Sequence, residues 1–312
     1  MASATVEKTQ APPARRRRRR GTGHLGGRGV NLLYLPALLL FAAFTIYPLA
    51  KGLQLSFTNW NGFSPNFSSV GWDNYARLLV DANVRTSLVN TFIYGFGSTI
   101  IQQVLGLGLA LALDRAIKGR NLARAIIYLP ALVSPVIMGT MYYLFFQYNN
   151  GVLNDVVGWF GGEKVAWLGD VGLSIGIIVA VNSLQFVGIS MIIYLAGLQS
   201  IPAMYTEAAM LDGADWWHRF RYITLPLLQP AFATSIVLNL IGGLKLFDVI
   251  QVITGGGPGY STNSLSTFIS VTYFDAQSAG YASAMGIMLF ILIAIFTLGV
   301  NTILNRRRLE EV

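Results

Sequence analysis

Six apolar runs, each close to the roughly 20 residues that cross about 30 Å of hydrocarbon as a helix, limit what this chain can fold into: residues 31–55, 88–113, 122–146, 173–198, 225–251 and 282–304. A water-soluble fold has no interior large enough for all of them. The composition agrees, since 54% of the 312 residues are hydrophobic and 12% are charged, against roughly 25% charged in soluble domains. The expected fold class is therefore all-α, a polytopic membrane protein with six transmembrane helices. Pro36, Pro48, Pro130, Pro135, Pro230 and Gly242-Gly243 fall inside the runs. Kinks are expected there, tolerated where neighbouring helices satisfy the freed backbone groups.

Basic residues orient the bundle. Segments 1–30, 114–124, 199–222 and 305–312 hold 17 Lys and Arg, the alternate segments 51–87, 147–172 and 252–281 hold 4, and Lys245 lies in a run. Positive charge gathers on the cytoplasmic side, which predicts that both termini are cytoplasmic. The net charge of +8 is no sign of nucleic-acid binding, because 7 of the 22 basic residues sit between Arg15 and Arg28. Residues 1–29 are expected to form a disordered basic cytoplasmic tail lying on anionic membrane lipid. The run that follows is too long for a cleaved signal peptide and reads as a retained anchor. Without cysteine the chain has no disulfide or thiolate metal site, and His24 and His218 lack partners at metal-ligand spacing.

One stretch between two runs cannot enter a bilayer. Residues Glu207 to Pro230 carry Glu207, Asp212, Asp215, His218, Arg219 and Arg221, so they must lie in water beside the membrane. Ser200 and Pro202 can open a helix, and Gly213 can supply the left-handed turn that closes it. The pattern predicts a helix over about 202–212 with Met204, Ala208 and Leu211 on one face and Glu207 beside them, and a second short helix capped by Asp215. Ala208 and Ala209 keep that surface low enough for another protein to approach the backbone. The competing reading is an amphipathic helix lying on lipid.

Glu207-Ala208-Ala209, Asp212-Gly213-Ala214, Phe220, Ile223, Leu225-Pro226 and Pro230 resemble the cytoplasmic coupling loop of permease subunits of binding-protein-dependent ABC importers. Further likeness comes from Asn59-Trp60-Asn61-Gly62, Gly71-Trp72-Asp73-Asn74-Tyr75, Ser87-Leu88-Val89-Asn90-Thr91, Phe247-Asp248, Thr254 to Gly259, and Gly280-Tyr281-Ala282-Ser283-Ala284. These are similar to the maltose and oligosaccharide branch. The resemblance implies a permease domain over 30–305 with its coupling loop at 200–222, a C-terminal tail at 306–312, and residence in a bacterial or archaeal cytoplasmic membrane. The implied partners are a second, homologous permease, two ATP-binding subunits and an extracytoplasmic sugar-binding protein. Glu207, Ala208, Ala209, Asp212, Gly213, Ala214, Leu225 and Pro226 would carry the coupling. This chain would bind no cofactor, with ATP and Mg held by the partner ATPase.

No constellation in the chain supports catalysis. Gly255 to Gly259 lacks the Lys-Ser/Thr of a phosphate cradle and reads as a turn. Polar residues inside runs are costly and face the bundle interior. Asn182, Gln185 and Phe186 in the fourth run, with Asn239, Gly242, Gly243, Lys245 and Asp248 in the fifth, are the expected substrate pathway. Asn182 and Asn239 have an equally good alternative role, joining helices by hydrogen bonds. Lys245 and Asp248 suit snorkelling or mutual pairing better than substrate contact. The aromatic group Tyr142, Tyr143, Phe145, Phe146 and Tyr148 fits an interfacial belt or, less well, a sugar-stacking platform. A glycerol 3-phosphate or glycerophosphodiester importer has the same motifs. An ion-driven secondary transporter would need paired intramembrane acids, which Asp248 alone does not supply.

Overall fold

A computed structural model describes residues 34–306. The basic tail 1–29, the start of the first run, and the C-terminal residues after 306 lie outside the described residues. The chain forms two compact units, one ending at Ala50 and one beginning at Lys51. Helix α1, Leu35–Leu55, contains a π turn over Ala42–Ile46, and its residues through Ala50 belong to the first unit. Among the described residues the second unit consists of helices and connecting loops, with an isolated bridge between Thr58 and Ser69.

Four more helices are long and apolar enough to cross a membrane: α3 (Ala82–Asp114), α7 (Val171–Ser200), α10 with its extension (Gln229–Ile253) and α13 (from Ala279). Shorter helices lie between them. α2 (Asp73–Val80) precedes α3, and α6 (Val152–Trp159) precedes α7. α8 (Ala203–Leu211) and α9 (Trp216–Arg219) form the polar loop, and α12 (Leu265–Ser270) precedes α13. α7 is central, with 61% of its most apolar stretch buried against 6% in α13.

The third run, residues 122–146, is not one continuous helix. It is two helices, α4 (Arg120–Leu132) and α5 (Pro135–Phe146), bent by 96° at the break. Pro135 opens α5 and holds Ser134 extended at φ −54°, ψ 133°. Packing then fixes the angle. A Cβ at Gly188 of α7 would lie 2.6 Å from the Ile127 carbonyl of α4, while one at Gly139 of α5 would lie 3.0 Å from Val252. Two different partners therefore hold the two halves.

The fifth run also breaks. α10 proper ends at Leu244 and α11 (Asp248–Ile253) restarts after Lys245–Phe247. The buried Ser264 hydroxyl donates to the Leu246 carbonyl at 2.7 Å, which meets the requirement that a buried carbonyl freed by a break find a partner.

The segments around the start of α3 and the end of α11 are tied together. Asn90 Nδ2 donates to the Ser261 and Asn263 carbonyls at 2.7 and 3.0 Å, Tyr94 Oη donates to the Thr262 carbonyl at 2.8 Å, and Leu265 N–H donates to Thr91 Oγ1 at 2.8 Å. The glycine run is a turn, with Gly255, Gly256 and Gly259 at φ +57°, +83° and +56°. Asn74 Nδ2 donates to the Ser56 and Thr58 carbonyls, and Gly280 N–H donates to Trp60 O at 2.8 Å. Asp81 caps α3 and also accepts from Tyr281 Oη at 2.9 Å. Residues that stand far apart in the sequence thus build one hydrogen-bonded scaffold at this end of the bundle.

Candidate functional site

The loop between α7 and α10 folds as its residues dictate. Pro202, extended at φ −60°, ψ 130°, starts α8. At the other end Gly213 N–H donates to Met210 O at 3.1 Å and Ala214 N–H to Ala209 O at 2.9 Å. Those two bonds are the Schellman pair, and they need Gly213 at its observed φ of +80°. Asp215 then caps α9, accepting from His218 N–H at 2.7 Å and from His218 Nδ1 at 2.8 Å. The bond from the His218 backbone, then the one from its ring, holds the Asp215 carboxyl below the usual range. This support is present at neutral pH and is lost as pH falls through that lowered value. After α9 a π turn over Phe220–Thr224 and the short Leu225–Leu227 turn, which includes Pro226, lead into α10.

No residue of α8 is buried. Met204 and Leu211 are 65% and 90% exposed, and Glu207 and Ala208 on the same face are exposed too. Ala209 and Ala214 are half-buried, and Asp212 is exposed. The opposite flank, through Thr206 and Met210, borders a hollow of about 250 Å³ closed by Leu111, Arg115, Arg219 and Phe220. α8 is therefore a short helix propped away from the bundle with an uncovered apolar face and one carboxylate beside it.

The residues expected along a pathway separate into different environments. Asn182 and Gln185 are 3% and 0% exposed, and Phe186 is half-buried. Gln185 Nε2 donates to the Val133 carbonyl at the α4–α5 break, at 3.3 Å. Asn239, 8% exposed, donates to Ser190 Oγ at 2.6 Å. Gly243 is a close crossing, because a Cβ there would lie 2.8 Å from Gly95 Cα, whereas Gly242 has no heavy atom within 4 Å of its Cβ position. Lys245 and Asp248 are exposed. No ion pair joins them, the one pair found among the described residues being His218–Asp215.

The aromatic group also divides. Tyr142 and Phe146 pack against the core that holds Ile178 and Ile250, while Tyr143, Phe145 and Tyr148 stay 40–51% exposed.

Gln102 and Gln103 were missed by the sequence reading. They lie on α3 at the level of Asn182, with Gln102 Nε2 donating to the Asn182 carbonyl at 3.1 Å and Gln103 Oε1 accepting from Tyr194 Oη. Two adjacent amides inside an apolar run were the available signal. Gln102 Oε1, Gln103 Nε2 and Gln185 Oε1 are buried without a protein partner. Amides and a tyrosine hydroxyl gather at this level of the bundle.

Residues 102–310 match the family described as binding-protein-dependent transport system inner membrane component. The chain is 35% identical over 267 residues to a trehalose/maltose transport system permease protein of Thermococcus litoralis, covering 86% of this chain and 90% of that protein. A probable starch degradation products transport system permease protein of Thermoanaerobacterium thermosulfurigenes is 33% identical over 284 residues, 90% and 95% of the two chains. Among solved structures, a chain of a bacterial ABC transporter involved in import of the acidic polysaccharide alginate superposes with a TM-score of 0.79 at 26% identity, covering 89% of this chain and 96% of that one. The alginate transporter in complex with an alginate pentasaccharide-bound periplasmic protein superposes at 0.77 with 25% identity, over 90% and 94%.

Proposed function

This chain belongs to the binding-protein-dependent transport inner membrane component family, as a carbohydrate ABC importer permease and a multi-pass membrane protein, and on that premise we propose how it works. It spans the membrane six times, with the bent α4–α5 pair as one span and both termini inside. It pairs with a second, homologous permease and two ATP-binding subunits, and it receives substrate from an extracytoplasmic binding protein. ATP and Mg stay on the ATPase. The permease domain covers 30–305, with 200–222 as its coupling loop.

The observation that carries this reading is α8. Apolar side chains as exposed as Met204 and Leu211, in water beside a membrane, mark a surface that a protein partner covers. Glu207 supplies a charge for a basic group on that partner. Closure of the ATPase dimer pushes α8, and the spans attached to it reopen the cavity on the other side. No chemistry falls to this chain beyond binding and release.

The substrate is an uncharged sugar or oligosaccharide. Buried amides with an atom still free, at Gln102 and Gln185 beside Asn182, suit hydroxyl groups and would leave a phosphate or carboxylate uncompensated. Phe186 offers a ring edge or face at the same level.

Two experiments test this. Cysteines introduced singly at exposed Lys118 and Asn66 should behave oppositely in intact cells, Asn66→Cys reacting with an impermeant maleimide and Lys118→Cys not; the reverse pattern would overturn the orientation. Glu207→Ala should lower co-purification of the ATP-binding subunit about fivefold, the equivalent of roughly 1 kcal/mol for an exposed ion pair. Unchanged recovery would remove Glu207 from the docking surface.

A further inference from the structure

We propose that Gln103, Ser190, Tyr194 and Asn239 are positioning residues that fasten α3, α7 and α10 into a single lever, and that Asn239 serves this fastening rather than contact with the sugar. The proposal rests on the importer reading above.

Three contacts make the fastening. Asn239 Nδ2 on α10 donates to Ser190 Oγ on α7 at 2.6 Å, with Ser235 Oγ one turn earlier at 3.5 Å. Tyr194 Oη on α7 donates to Gln103 Oε1 on α3. The Tyr194 ring meets Phe232 of α10 edge-on, with centroids 4.9 Å apart. Ser190, Tyr194 and Ser235 are fully buried, so no solvent competes for these bonds, and separating the helices would leave hydroxyls and amides unpaired in an apolar interior.

The backbones are close enough for the bonds to be short. A Cβ at Gly106 of α3 would lie 2.6 Å from Ser190 Cβ, and one at Gly197 of α7 would lie 2.7 Å from Ala231 Cβ of α10. These glycines let the three helices approach, and the polar bonds then fix their register. Apolar packing alone resists sliding weakly, because one methyl replaces another. A hydrogen bond does not.

The position gives the fastening its role. α7 and α10 flank the loop that carries α8. At about 1.5 Å of rise per residue, Tyr194 lies roughly 9 Å and Ser190 roughly 15 Å from the α7 end at Ser200, and Asn239 roughly 15 Å from the start of α10. Force arriving at α8 enters both helices just below these bonds. If the helices could slip past each other, the displacement would be absorbed locally. Fastened, they turn as one body with α3. The Nδ2 group of Asn239 gives its bonds to Ser190 and Ser235, so its donor side faces the helix crossing.

The cysteine-free chain allows a direct test. Spin labels on Leu184→Cys of α7 and Leu238→Cys of α10, both about half exposed, report the spacing of the two helices by pulsed electron resonance in lipid nanodiscs. A single narrow distance is expected for the full chain, unchanged when ATP is added to its complex with the ATPase. Asn239→Ala and Ser190→Ala should each broaden it at least twofold, the double variant no further than either alone, with melting temperatures little changed. Tyr194→Phe keeps the ring contact and drops the Gln103 bond, so the 184–238 distance should stay narrow. A distribution that stays narrow in both alanine variants overturns the proposal, as does a spacing that shifts with ATP in the parent chain. Failure of the chain to recover with any ATP-binding subunit would instead count against the importer reading, and the nanodisc distances would still decide the fastening.

Discussion

Gly213→Val is expected to cut both transport and binding-protein-stimulated ATP hydrolysis by tenfold or more in a reconstituted complex, while the external binding protein still captures sugar. The effect comes from the backbone alone, since no heavy atom lies within 4 Å of the Cβ position and φ is +80°. A β-branched residue there costs about 1–2 kcal/mol or more, enough to depopulate the left-handed turn by roughly 5- to 30-fold. Releasing that turn breaks the Gly213–Met210 and Ala214–Ala209 bonds that aim α8. Gly213→Asn is the control, because asparagine tolerates this conformation, and it should keep most activity. Gly213→Asp should fall between the two for the same reason. Full stimulation in the valine variant would remove this loop as the coupling element.

The second large effect is expected at Gly243. A leucine there meets Gly95 Cα and the Tyr94 carbonyl, whose distances from a bare Cβ would be only 2.8 and 3.0 Å. Neither is a side chain that can turn away. α10 must lift from α3, at about 1–3 kcal/mol for an overpacked contact, and Gly95, whose own Cβ position abuts Leu244, shares the strain. The measurement is the melting temperature in detergent and the yield of assembled complex, both of which should fall. Gly242→Ala, one residue away and facing open space, should be neutral or slightly stabilising. If Gly243→Leu melts like the parent chain but binds sugar poorly, the position belongs to the pathway and not to the crossing.

Much of this protein was readable before its structure. Local patterns carried α8 and α9: a proline to open, a glycine to close and an aspartate to cap each act on backbone groups within about a turn of their own position. Charge counting set an expected orientation, for which labelling at Asn66 and Lys118 is the test. The polar level was only half legible. Asn182, Gln185 and Asn239 stood out in their runs, but the groups they meet, at Gln102, Val133 and Ser190, belong to other segments 49 to 80 residues away and join them only in space.

Sequence by itself therefore determined an all-helical membrane permease, the place of its polar loop and the turn chemistry that shapes it, because hydrophobic length, charge and capping are properties of neighbouring residues. Tertiary structure decided the 96° break between α4 and α5, the interruption of α10 at Lys245–Phe247, and which intramembrane polar groups are already bonded. Each of these depends on what another helix offers at the same depth. Ser264 can satisfy the carbonyl freed at Leu246, and Gly188 can admit the backbone of α4, only once the chain has brought them together.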